Sequence, residues 1–354
     1  MKKVLSLVLV VLLILSSFSF AFAEDVETVK ITVIHTNDTH ARLVESDSQI
    51  GFAKIATLIK EAKEENPNTL VLDAGDTLHG MPIVNISRGE NAVKVLEAAG
   101  YDYMTLGNHD FNYGKDRLLE LAAMSQVGML SANIVDENDE YVFTPYVIEE
   151  VGGVKVGIYG LSTPDTAILT NPNNVPGLTF EDPIEVSKEM VEELKDKADV
   201  IIALSHLGLD ESSSVTSKAL AEAVEGIDLI IDGHSHTLLE TGQLENNTLI
   251  VQTKNYGENL GYVDIEIQNG EVTGISARLL AAEDTAETVP DPDLSAFIET
   301  ISPENDPAFN EVVAITDIYL DGVRENVRTR ETNLGNLSAD AARAATDADI
   351  AFVN

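Results

Sequence analysis

The chain has 354 residues, 22 of them basic and 60 acidic, for a formal charge of −38 at pH 7; a surface of that sign repels the phosphate backbone of nucleic-acid polymers. It contains no cysteine, which excludes a disulfide framework and a lipid-modified thiol and leaves only oxygen and nitrogen for any metal site. The apolar share of 44% is ordinary for a globular protein with a buried core.

The first 23 residues read as an export signal. Lys2 and Lys3 precede the apolar run VLSLVLVVLLIL, and small residues close the segment at Ala23. Removing it leaves 20 basic and 60 acidic residues, a net −40, and no second apolar run long enough to span a membrane. The mature chain is therefore expected outside the cytoplasm, in the periplasm or at the cell surface, with no integral membrane segment.

After the leader, short β-rich runs alternate with helical ones. KITVIHT, TLVLDAGD, YDYMTLGNHD and GMLSANI read as strands; IGFAKIATLIKEAKEE, NAVKVLEAAG and GKDRLLELAAMS between them read as helices. YVIEEVGGVKVGIYGLS reads as a hairpin about Gly152-Gly153. The helix PIEVSKEMVEELKDKA, the strand DVIIALSHLG, the helix SVTSKALAEAVEG and the strand IDLIIDGHSH follow. An antiparallel stretch then turns at Asn269-Gly270. This order argues an α/β domain with parallel pairing. Residues 286–310, in a stretch rich in acidic residues, Thr and Pro, are expected to be a linker. Beyond them EVVAITDIYLDG is strand-like, NLGNLSADAARAATD helical and ADIAFVN strand-like, a pattern that reads as an unfinished domain.

The seven histidines carry the chemistry. All lie in or just past apolar strand runs: His35, His40, His79, His109, His206, His234 and His236. The runs end in Asp38 and His40, in Asp76, in Asn108 and His109, in His206, and in His234 and His236. Open α/β sheets bind ligands outside the carboxyl ends of their strands. Any one of these motifs also fits a capped turn or a core histidine. Five together, on five strands, point to a metal site.

IHTNDTHARL, LDAGDTLHG, TLGNHDFNYG, ALSHLG and IIDGHSHT, in that order, resemble the successive motifs of the calcineurin-like metallophosphoesterases, and more narrowly those of the secreted bacterial 5′-nucleotidases. The resemblance implies an α/β sandwich of two mixed β-sheets flanked by helices over residues 24–285. Residues 311–354, with RTRETNLGNLSADA, resemble the start of the family's α+β C-terminal substrate-binding domain, here incomplete. It further implies two divalent ions, Zn²⁺, Mn²⁺ or similar. Asp38, His40 and His236 would hold one, and Asn108, His206 and His234 the other, with Asp76 bridging. The implied reaction is hydrolysis of nucleoside 5′-monophosphates to nucleoside and phosphate, by in-line attack of hydroxide generated at the metals. His109 would act on the ester as catalytic residue, oriented by Asn112. Asn108, His109 and Arg328 would touch the substrate, a small nucleotide or phosphate ester.

One position departs from the 5′-nucleotidase pattern. Its catalytic histidine usually pairs with an Asp three residues on, and here that residue is Asn112. Relatives acting on 2′,3′-cyclic nucleotides resemble the form present here, so a 2′,3′-cyclic phosphodiesterase/3′-nucleotidase is the alternative, with UDP-sugar hydrolysis also open. A non-enzymatic surface-binding protein would have lost ligand positions, and none is lost. Because the aromatic residues that sandwich the base in this family lie past residue 354, the chain as given is expected to hydrolyse small phosphate esters and to bind nucleotides poorly. Asp110 is expected to serve as a supporting or helix-start acid, His35 as packing, His79 as a brace for the Asp76 loop, and Arg42 as a surface ion pair.

Overall fold

In the first half of the chain β1 (Thr28–Thr36), β2 (Thr69–Asp73), β3 (Tyr103–Thr105) and β4 (Gly128–Leu130) alternate with α1 (Phe52–Glu65), α2 (Glu90–Ala99) and α3 (Lys115–Met124). Next come β5 (Ile134–Val135), β6 (Tyr146–Val151), β7 (Val154–Ser162), β8 (Thr179–Phe180), α4 (Pro183–Leu194), β9 (Val200–His206) and α5 (Ser217–Ala223). The strands β10 (Leu229–Ile231), β11 (Gln243–Glu245), β12 (Thr248–Val251), β13 (Asn259–Gln268) and β14 (Glu271–Ala281) follow, then α6 (Pro292–Thr300). These elements come from a computed structural model that describes residues 28–302, 305 and 307–352. The export signal expected at 1–23 lies outside the described residues.

Two six-stranded mixed sheets result, ordered β14-β13-β1-β2-β3-β4 and β11-β12-β10-β9-β7-β6. β1 through β4 pair in parallel, and β13 closes on β1 antiparallel. In the second sheet β7, β9, β10 and β12 are parallel, with β6 and β11 antiparallel at its edges. The sheets pack face to face through Ile31, Val33, Leu72, Ile158, Ile202, Leu204 and Ile231. Their outer faces are covered by helices: Ile34, Val71 and Met104 meet Ile55, Ile59 and Leu96, while Ile201, Ala203 and Ile230 meet Met190, Leu194 and Leu220. The period of two explains the unbroken apolar run of β9, whose alternate residues serve both cores. Both sheets run their parallel strands toward one end, so the residues after β1, β2, β3, β9 and β10 share one rim.

The expected linker at 286–310 contains α6. Asp291 accepts from the amides of Asp293 and Leu294, Pro292 occupies the first turn, and Leu294 and Ile298 enter the core with α1 and α2. Residues up to 303 form one unit and those from 304 a second. The second contains α7 (Asn333–Thr346), capped by the Thr332 hydroxyl, which accepts from the Gly335 amide. The strand-like stretches 311–322 and 348–352 form no strand among the described residues, because β pattern yields a strand only where a neighbour completes the ladder. No helix among the described residues is long and apolar enough to cross a membrane.

Candidate metal centre and active site

The loop after β1 carries Asn37, Asp38 and His40, and Asp38 and Asp76 are built alike. Asp38 Oδ2 accepts from Asn37 Nδ2 at 2.7 Å and from the His234 amide at 2.9 Å. Asp76 Oδ1 accepts from the His109 amide at 2.7 Å. In each carboxylate the remaining oxygen faces the imidazoles. Asp38 Oδ1 lies 3.3 Å from His236 Nε2, 3.9 Å from His206 Nε2 and 4.0 Å from His40 Nε2. Asp76 Oδ2 lies 3.2 Å from His206 Nε2 and 3.9 Å from His40 Nε2. Two close groups emerge: Asp38 with His40 and His236, and Asp38 with Asp76 and His206. Asp38 belongs to both, and Asp76 Oδ2 reaches a histidine of each group. His234 stands outside these groups, its ring 5.3 Å from that of His206.

Holding these side chains inward bends the backbone. Asp38, His40, Asp76, His234 and His236 all have φ between 45° and 73°, a left-handed conformation that costs a non-glycine residue roughly 1–2 kcal/mol. Asp, Asn and His tolerate it best, and strain of this kind collects at functional sites.

His109 stands beside the cluster, its ring 5.1 Å from that of His40. Its Nδ1 is 2.9 Å from Asn112 Nδ2, so the expected His109–Asn112 pair forms. His79 does not brace the Asp76 loop by a side-chain bond; its Nδ1 lies 3.1 Å from the same Asn112 nitrogen. Arg42 stacks its guanidinium 3.3 Å from the centre of the Tyr256 ring. His35 is buried, with neither ring nitrogen bonded and Gly261 directly opposite; burial pushes its pKa down to about 3, so it packs as a neutral ring. Arg328 is exposed in the second unit.

Residues 31–238 match the family model described as calcineurin-like phosphoesterase. The chain belongs to that family. It is 33% identical to the trifunctional nucleotide phosphoesterase protein YfkN of Bacillus subtilis over 92% of its own length but only 24% of that protein's. It is 32% identical to a 5′-nucleotidase of Vibrio vulnificus, over 92% of this chain and 68% of the relative. The crystal structure of a 5′-nucleotidase precursor from Thermus thermophilus superposes with a TM-score of 0.74 at 31% identity, over 90% of this chain and 67% of that one. The chain thus spans about a quarter of the first relative and two thirds of the others. Family and relatives share the two-sheet fold that the sequence motifs implied.

The residues of this phosphoesterase suit divalent cations. Asp38 Oδ1, Asn108 Oδ1 and His206 Nε2 are buried without a hydrogen-bond partner, and three such atoms at one rim are costly unless a ligand satisfies them. Nitrogen and oxygen donors of this kind match transition ions or zinc. His206 Nδ1 bonds the Ala74 carbonyl at 2.6 Å, which turns Nε2 toward the carboxylates. Burial opposes charge on His206, but Asp76 and Asp38 override it and lift its pKa to about 10. Burial likewise opposes ionisation of Asp76, and the His206, His40 and His109 rings outweigh it, so the carboxylate stays well below the usual range. Burial holds His40 down at about 4. Two buried carboxylates, Asp38 and Asp76, thus share a proton with His206 at the place a cation would take.

Three supporting residues had no clear ligand signature. Asn37 Oδ1 takes the amide and hydroxyl of Thr253, while its Nδ2 serves Asp38 and the Lys254 carbonyl. Asp232 takes the Ser205 hydroxyl and the amides of Leu207 and Gly208, fixing the turn after His206. Asp110 accepts four backbone amides, those of Asp76, Gly107, Thr77 and Leu78. Burial and Asp76 raise its pKa to about 6 against those donors. The sequence signal for two of them is an Asp beside a GH or NH pair, Asp232 before Gly233-His234 and Asp110 after Asn108-His109.

Gly107 shows how tightly the rim is packed. Its φ of −87° suits any residue, yet a Cβ there would lie 2.2 Å from Asp76 Oδ1. Gly107→Ala is expected to displace Asp76 and weaken divalent-ion binding by about 10–100-fold, the cost of disturbing a ligand's support. Calorimetric titration with Mn²⁺ checks this, and wild-type affinity in the variant would refute it.

Proposed function

We propose that this chain carries the catalytic part of a secreted hydrolase that releases phosphate from nucleoside 5′-monophosphates with two divalent ions. The observation that carries the reading is the pair Asp38 and Asp76, each with one oxygen anchored and one aimed among His40, His206 and His236. Asp38, His40 and His236 would hold one ion and Asn108, His206 and His234 the other, with Asp76 between them. The ions, when bound, neutralise phosphoryl oxygens and acidify water. His109 is adjacent to this centre and serves the ester oxygen as hydrogen-bond donor. Arg328, on the second unit, would contribute a phosphate contact. Residues 1–23 would direct export.

A second reading has its own support. Asn112, an amide, cannot stabilise an imidazolium by charge as an Asp would, and this favours 2′,3′-cyclic nucleotides or 3′-nucleotides. Phosphate release from 5′-AMP, 2′,3′-cAMP, UDP-glucose and p-nitrophenyl phosphate, each with Mn²⁺ or Zn²⁺ and after chelation, tests both. The first reading expects 5′-AMP to be cleaved faster than 2′,3′-cAMP; the reverse order selects the second. Asn112→Asp is expected to raise the 5′-AMP to 2′,3′-cAMP rate ratio by about tenfold, as a change in a supporting partner would, and an unchanged ratio would deny Asn112 a part in selectivity. No metal-dependent turnover of any of the four would refute both readings.

A further inference from the structure

The side chain of Asn112 has two histidine partners, and the function proposed above uses one. Its Nδ2 lies 2.9 Å from His109 Nδ1 and 3.1 Å from His79 Nδ1. Its Oδ1 accepts from the Thr170 hydroxyl at 3.2 Å, and the backbone carbonyl of Asn112 accepts from Asn174 Nδ2 at 3.0 Å. The two imidazole planes are 9° apart, with centroids 6.1 Å from each other, so one amide fits between the two Nδ1 atoms. The Tyr113 ring, 5.2 Å from that of His79, closes the far side. A primary amide nitrogen carries two hydrogens and accepts none. With one hydrogen toward each ring, both Nδ1 atoms must be acceptors.

We propose that Asn112, fixed by Thr170, locks His79 and His109 into the same tautomer with the proton on Nε2, and that His79 is a positioning residue for His109. The geometry has a chemical consequence. His109 then offers the substrate an N–H rather than a lone pair, so it donates a hydrogen bond to an ester or phosphoryl oxygen. It cannot take up a proton at Nδ1 without giving up Asn112. A carboxylate at position 112 would do the opposite: being acceptor-only, it would draw the His109 proton to Nδ1 and leave Nε2 as a base. His79 matters because it occupies the second amide hydrogen. Without it that hydrogen has no ring acceptor, and only the Thr170 hydroxyl, which can accept as well as donate, opposes a turn of the amide oxygen toward His109.

Ring ¹⁵N shifts and two-bond ¹H–¹⁵N couplings distinguish the tautomers, and they are read on the full chain with labelled histidine, with and without Zn²⁺. His109→Gln and His79→Gln assign the signals. The expected wild-type result is the Nε2–H pattern for both rings. Asn112→Asp is expected to move His109 to Nδ1–H. His79→Leu is expected to give His109 mixed tautomers, while His79→Gln, whose amide oxygen still accepts, keeps Nε2–H. The kinetic arm rests on the proposed hydrolase activity: with p-nitrophenyl phosphate, His79→Leu is expected to lower kcat about tenfold with KM within about twofold, and His79→Gln to restore most of it. An Nδ1–H signal for His109 in the wild type, or a His109 tautomer unmoved by His79→Leu, overturns the proposal. If the wild type turns over no phosphate ester, the hydrolase reading fails while the ring signals still decide this one.

Discussion

Asp76→Asn is expected to lower phosphate release by about a thousandfold, the scale of roughly 4 kcal/mol lost from a group aimed at developing charge. The two ends of this side chain do different work. Oδ1 takes the His109 amide and so ties the β2 loop to the β3 loop, while Oδ2 faces His206 and His40. An amide can satisfy only one of these demands. With its oxygen toward the His109 amide, its NH₂ points at the imidazole nitrogens and at any cation they hold. With its oxygen toward the imidazoles, two N–H groups face each other. Either arrangement also removes the negative charge that draws a divalent ion. Turnover of p-nitrophenyl phosphate, measured with bound metal per chain, checks this. Activity within tenfold of wild type, at full metal content, would contradict the role given to Asp76.

Asp110→Asn is expected to destabilise the fold by about 4 kcal/mol. Each oxygen of Asp110 accepts two backbone amides, Oδ1 from Thr77 and Leu78 and Oδ2 from Asp76 and Gly107. The substitution turns one end into a donor facing two donors. Leaving a buried amide unsatisfied costs about 1–3 kcal/mol, and two are stranded here. Because three of those amides, of Asp76, Thr77 and Leu78, belong to the loop that presents Asp76, metal affinity should fall together with stability. Urea unfolding of wild type and variant reads the first effect. A loss under about 1 kcal/mol, near the ordinary cost of a surface change, would show that the four bonds contribute little.

Much of the site was legible because its chemistry is local to each strand end. Asp38 and His40 follow one apolar run, Asp76 another, and His206 closes a third; the rule that strand ends deliver ligands needs only the run and its exit. What pattern does not carry is which strands share a sheet. The division into two sheets, with β13 returning to pair with β1, depends on contacts more than two hundred residues apart. Asn37 carries no local signal for the same reason, since its partners Thr253 and Lys254 are distant in sequence. α6 is a different case. Asp291-Pro292 with apolar residues at 294, 297, 298 and 301 is a helix start followed by helical spacing, and the surrounding Asp, Glu and Thr obscured it. Conversely, EVVAITDIYLDG has strand composition, yet composition forms no ladder. Sequence nearness ties His79 to Asp76, whereas its partner Asn112 lies across the rim.

The proposed function requires that these loops enclose a pair of cations. Crystals grown with Mn²⁺ and measured for anomalous scattering test it directly. The account predicts two peaks about 3.5–4 Å apart, with the Asp76 carboxylate between them, Asp38, His40 and His236 around one and Asn108, His206 and His234 around the other. A single peak, or none within reach of Asp38 and Asp76 at saturating metal, would contradict it.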